Sequence, residues 1–137
     1  MIRHAEKEND GTKDPNLSEE GKERAKRLTK MLSSSKPSLI LSTPYQRTQN
    51  TVVGLSKNLG ISIEEYHPND KGLLAKLLEE NKGKTIVISG HSNTTPVLVN
   101  QLIGANKYQT LGEDEYGKIF IVSCVSVGSG KEIVLTY

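Results

Sequence analysis

Hydrophobic positions in this chain follow two periods, and the alternation between them predicts its architecture. Leu17, Gly21, Ala25, Leu28 and Leu32 fall three and four residues apart, with Lys22, Lys26 and Lys30 outside the stripe, the pattern of a helix packed on one face. Ser18 precedes it as an N-cap, Glu19 and Glu20 suit the positive end of its dipole, and serines 33 to 35 with Pro37 end it. Tyr45, Thr48, Val52, Leu55 and Leu59 form a second stripe, opened by the Thr43 hydroxyl and Pro44 and stopped by Gly60. Leu73, Leu74, Leu77 and Leu78 mark a third helix closed by Gly83, and a fourth runs from Asn93 to Ile103.

Between the stripes, Leu39-Ile40-Leu41 and the run from Thr85 to Ser89 are apolar on successive residues, as expected of strands buried on both faces. Residues 61 to 66 alternate and belong nearer an edge. Residues 118 to 124 and 132 to 136 form two last strands around the turn Gly128-Ser129-Gly130. The predicted fold is therefore α/β, a three-layer α/β/α sandwich with a mostly parallel central sheet and a C-terminal β-hairpin. Its 137 residues make one domain, 1–137. Only Met1 and Ile2 precede Arg3, so the first strand reads as truncated and residues upstream of Met1 are expected in the native protein.

Composition narrows the function classes. The formal net charge is +2 with acids and bases interspersed, which predicts no nucleic-acid or membrane partner. The single Cys124 allows neither an internal disulfide nor a cysteine-based zinc cage, and it lies in an apolar run as a core thiol would. No stretch approaches a bilayer span, so a cytoplasmic location is the default expectation, with export from a longer precursor as its alternative.

Two apolar approaches end in histidine, Ile2-Arg3-His4 and Ile86-Val87-Ile88-Ser89-Gly90-His91. In one parallel sheet both imidazoles reach the same carboxyl edge, where open α/β sheets place their sites. A third apolar run leads into Ser42-Thr43-Pro44-Tyr45-Gln46-Arg47, which sets an arginine in a first helical turn. Such a charge opposes the dipole and asks for an anion. Two arginines and two histidines suit a phosphoryl group, because the guanidinium fork meets two oxygens at once and stays charged. A histidine held neutral among such donors can accept the phosphoryl group covalently. His4 is the expected nucleophile, Arg3 and Arg47 the phosphate clamps, and His91 a cation for the developing oxyanion. Ser92 and Asn93 are expected to cap the following helix and touch phosphate, with Lys7 as a further cation.

Arg3-His4-Ala5-Glu6 resembles the Arg-His-Gly signature of the histidine phosphatase superfamily, also called phosphoglycerate mutase-like. Leu17-Ser18-Glu19-Glu20-Gly21 resembles that family's helix entry, Ser42 to Thr51 its Ser-x-x-x-Arg-x-x-x-Thr segment, and Gly90-His91-Ser92 its second-histidine motif. Alanine at position 5, in place of glycine, is similar to the small phosphohistidine-phosphatase-like branch. The resemblance implies catalysis without metal or other cofactor, with His4 phosphorylated and Arg3, Arg47 and His91 forming the phosphate pocket. It implies a phosphorylated small molecule or phosphoprotein as substrate, and the chain is expected to be a monomer or weak dimer. The family's usual acid is a glutamate after the Tyr66 segment. Here that segment reads His67-Pro68-Asn69-Asp70, making Asp70 the nearest carboxyl, with Glu6 and Glu65 as rivals and Glu6 also a candidate substrate contact.

The function expected is phosphoric monoester or phosphohistidine hydrolysis through a phosphohistidine. The alternatives are a phosphoglycerate-type mutase and a non-catalytic phosphate-binding module. A serine hydrolase using Ser92 is remote, because no histidine follows Ser92 to complete that triad's usual chain order.

Overall fold

The computed structural model describes residues 1–137. Strand and helix alternate as β1 (Ile2–Arg3), α1 (Glu19–Ser33), β2 (Leu39–Ser42), α2 (Gln46–Leu59), β3 (Ile63–Glu65), α3 (Leu73–Glu80), β4 (Ile86–Gly90) and α4 (Thr94–Ile103), followed by β5 (Lys118–Ser123) and β6 (Lys131–Thr136). The six strands form one sheet in the order β3-β2-β4-β1-β5-β6. β1 to β4 are parallel, β5 pairs antiparallel with β1 and with β6, and so β5 alone runs against the rest.

Successive strand residues feed opposite faces, which is how short apolar runs build three layers. Ile40 and Val87 join Ile2 and Ile119 under Leu28 of α1 and Val52 and Leu55 of α2. Their neighbours Leu41 and Ile88 pack on the other face with Leu74 of α3 and Leu98 and Leu102 of α4. The chain leaves β1 toward β2 and β3 on one side and leaves β4 toward β5 on the other. The crevice at the carboxyl ends of β1 and β4 is therefore the point where strand order reverses, the usual ligand position in such sheets.

Several element ends shift by a residue or two from the sequence reading, and two helix boundaries do so for a visible reason. α2 begins at Gln46 rather than at Pro44, because the Thr43 hydroxyl bonds Thr48 and His91 and leaves the helix uncapped locally. The Gln46 N–H instead donates to the carboxylate of Asp14, 32 residues earlier. α3 ends at Glu80 with Asn81 as its cap, so Gly83, at φ 72°, belongs to the turn beyond. The first helix matches its local signals, with the Ser18 hydroxyl accepting the Gly21 N–H at 3.2 Å.

α1 is pressed directly onto the backbone that follows His4. A Cβ at Gly21 would lie 2.1 Å from the Glu6 carbonyl oxygen, and that oxygen also accepts the Ser18 N–H at 3.0 Å. The Glu6 carboxylate takes both Nε and Nη2 of Arg24, whose Nη1 donates to the Tyr137 carbonyl at 2.8 Å. Gly21→Ala is thus expected to cost about 3 kcal/mol of unfolding free energy by forcing backbone apart. Gly83→Ala meets open space and should cost about 1 kcal/mol through its positive φ alone. Urea unfolding of the two variants checks the contrast, and equal losses would contradict it.

Candidate active site

Register brings the two histidines together. Arg3 lies opposite Gly90 in the β1–β4 ladder, and the His4 N–H donates to the Gly90 carbonyl at 2.9 Å. His4 and His91 follow their strands at the same edge, with ring centroids 5.5 Å apart.

The hydrogen bonds around each ring settle its tautomer. His4 Nδ1 lies 2.8 Å from the Ala5 carbonyl oxygen, which can only accept, so Nδ1 carries the proton and Nε2 keeps a lone pair. The Ala5 N–H donates to Thr51 Oγ1, and that hydroxyl donates to the Arg47 carbonyl, so the peptide joining His4 to Ala5 is held by α2. His91 Nε2 lies 2.9 Å from Thr43 Oγ1. Thr48 Oγ1 gives its proton to the Thr43 or Tyr45 carbonyl and accepts from Thr43, which leaves Thr43 able only to accept from His91. His91 is therefore protonated on Nε2, and Nδ1 is its free position.

The arginines are held by groups the sequence reading did not single out. Arg3 is 6% exposed, donates from Nη1 to the Gly112 carbonyl at 2.7 Å and the Glu115 carbonyl at 3.2 Å, and lies 4.0 Å from the Tyr116 ring centroid. Its Nε is buried without a partner. In the acidic loop, the Glu115 carboxylate is taken by the Gly112 N–H and Lys118 Nζ. Arg47 lies 4.6 Å from the Tyr45 ring centroid, and that ring meets His91 edge-on at 5.1 Å. Each arginine is thus stacked on a tyrosine that also faces a histidine, Tyr116 lying 6.1 Å from His4.

Other sequence candidates lie elsewhere or act differently. Glu6 is committed to Arg24. Lys7 is exposed, and its backbone bridges to Leu17. Asn93 makes no side-chain cap for α4, Ser92 is half-buried, and the Thr94 hydroxyl takes the His91 N–H at 3.1 Å. Asp70 is exposed and accepts the Gly72 N–H at 2.9 Å in the turn into α3, with no contact to either histidine. No group of three or more histidine, cysteine, aspartate or glutamate side chains clusters as metal ligands would, and no helix is long and apolar enough to cross a membrane.

Crowding of positive groups governs protonation. Burial lowers the His4 pKa to about 4, with the Ala5 carbonyl acting against it and His91, Arg3 and Arg47 adding to the fall. Burial, Arg47 and Arg3 lower His91 likewise to about 4, and Asp14 opposes them. In the anion-free pocket both rings are neutral at pH 7. This corrects the expectation of a cationic His91, since desolvation beside two arginines disfavours a third charge. The unfolded chain therefore binds protons between about pH 6.5 and 4 that the native state does not, so stability falls as pH drops through that window. Ring-proton NMR should place both midpoints near 4, and inorganic phosphate should move that of His91 upward. A midpoint of 6.5 for His4 in the anion-free protein would contradict its burial.

No curated protein matches the sequence. The family model described as histidine phosphatase superfamily (branch 1) matches residues 1–68. Among solved structures, the chain is similar to a mycobacterial glucosyl-3-phosphoglycerate phosphatase, with a TM-score of 0.78 at 16% identity over 99% of this chain and 96% of that one. It is equally similar to the protein histidine phosphatase SixA complexed with tungstate, with a TM-score of 0.78 at 19% identity over 98% of this chain and 94% of that one. The chain thus matches the histidine phosphatase superfamily model over residues 1–68 and shares the fold of these phosphatases along nearly its whole length.

Proposed function

We propose that the protein is a phosphatase that hydrolyses phosphoric monoesters or phosphohistidine through a covalent phosphohistidine on His4. The observation that carries this reading is the His4 ring, whose Nδ1 proton is given to the Ala5 carbonyl so that Nε2 remains nucleophilic among two arginines and a second histidine. The oxyanion complexes of structurally similar phosphatases, with tungstate and with inorganic phosphate, support a pocket for a tetrahedral anion.

Phosphate enters between Arg3, Arg47 and His91, where the unpartnered Arg3 Nε and the free His91 Nδ1 supply donors once His91 takes a proton. A dianion favours that protonation by lying beside the ring. His4 Nε2 attacks phosphorus, the N–P bond forms, and the bond to the leaving group breaks as that group gains a proton. Water then attacks the phosphohistidine, the N–P bond breaks, and the proton released by water balances the one given up earlier. Fixed positive charge carries the acceleration, because phosphoryl transfer leaves the protein little to do beyond positioning and stabilising oxygens. The reading requires no metal ion. Its substrates are a phosphorylated small molecule or a phosphoprotein.

Turnover of p-nitrophenyl phosphate is expected in the presence of EDTA and should fall about 10³-fold or more in His4→Ala. Activity that survives His4→Ala would overturn the reading. Tight tungstate binding without turnover would favour the binding module, and phosphoryl transfer between phosphoglycerate positions without hydrolysis would favour the mutase.

A further inference from the structure

The phosphatase reading leaves the proton of the leaving group without a source. Of the carboxylates weighed for it, Glu6 is bound to Arg24, Glu65 accepts from Gln49, and Asp70 is spent on the turn before α3. A different acid occupies the pocket. Asp14 lies on the loop after His4, with Oδ1 3.4 Å from Arg47 Nη1 and its two oxygens 3.0 and 3.2 Å from the Gln46 N–H. Its carbonyl accepts from Gln46 Nε2 at 3.0 Å, which fixes the residue at the entrance to α2. Its negative charge reaches His91. The side chain keeps 36% of its surface open, against 15% for Arg47 beneath it.

Asp14 thus sits at the N-terminus of α2 and on one of the arginines to which the phosphate is assigned. A carboxylate and a phosphate dianion cannot both bear full charge there, because like charges a few ångströms apart raise the proton affinity of one. Asp14 is the carboxyl that an arriving phosphate meets at Arg47. We propose that Asp14 is the acid–base residue of the reaction, a role that rests on the phosphatase reading above. As the bond from phosphorus to the leaving oxygen breaks, the Asp14 carboxyl gives its proton to that oxygen, and the product departs as a neutral alcohol. The carboxylate then takes a proton from the water that attacks phosphohistidine. The groups in contact with it are Arg47 and the N-terminal N–H of α2, and its charge also reaches His91. Asp14→Asn can still accept the Gln46 N–H, and it loses both proton exchange and the negative charge that faces Arg47, of which only the first distinguishes the two leaving groups.

The test compares wild type and Asp14→Asn on p-nitrophenyl phosphate, whose phenolate leaves unaided, and on glycerol phosphate, whose alkoxide must be protonated. kcat/KM reports the step up to phosphohistidine, so the ratio of the two substrates isolates the acid. We expect the aryl-to-alkyl ratio to rise about 10²-fold in Asp14→Asn, the usual range for a lost general acid. Retained thermal stabilisation by tungstate shows that the variant keeps its pocket. An unchanged ratio overturns the role, and a uniform gain on both substrates with tighter phosphate inhibition identifies Asp14 as a mere plug and overturns it too. No turnover of either substrate by wild type removes the phosphatase reading and this role together, whereas turnover with an unchanged ratio removes the role alone.

Discussion

One backbone hydrogen bond sets the geometry of the site, that from the His4 amide to the Gly90 carbonyl. It extends the parallel β1–β4 ladder one step past Arg3, and everything that follows those strands inherits its register. A slip of one residue in β1 would turn His4 to the opposite face of the sheet. Because β1 spans only Ile2–Arg3, the helix side must help hold that register. Gly21 and Ser18 grip the Glu6 carbonyl, and Arg24 grips its side chain. The residues after His4 are thereby braced without a long strand.

Electrostatics then follows from crowding. Two arginines are fixed by carbonyls and tyrosine faces rather than neutralised outright, so the pocket keeps its attraction for anions. The histidines answer by shedding protons, which leaves His4 with a lone pair on Nε2 and His91 with one on Nδ1. Of the two, Arg47 alone is paired with a carboxylate, that of Asp14 on the loop after His4.

Much of this was legible in the residues. His4, His91 and Arg47 stand at the ends of apolar runs, and such runs locate strand ends without tertiary information. Helix faces were likewise readable, down to Ser18 as a cap and Gly60 as a stop. What escaped depends on contacts between distant segments. Asp14 lies in a stretch of turn formers whose composition predicts only a loop, and its capping of α2 has no local signal beyond Asp-Pro ahead of a helix entry. The loop from Gly112 to Tyr116 carries three acids in sequence, yet it serves the site through two carbonyls and a ring, groups whose use composition does not reveal. Thr43 was assigned to a cap by its place before proline, whereas its hydroxyl is taken by His91.

The hold of the Gly112 carbonyl on Arg3 spans 109 positions, and that of the Tyr137 carbonyl on Arg24 spans 113. Contacts of such separation close large loops and are intrinsically slow to form. The helices can assemble on β2 and β4 before these closures occur, but the clamp on the first arginine cannot exist until the last third of the chain has docked. Catalytic competence would then lag behind helix content during refolding, and a ribosome-bound fragment ending before Gly112 would own both histidines without the clamp on Arg3.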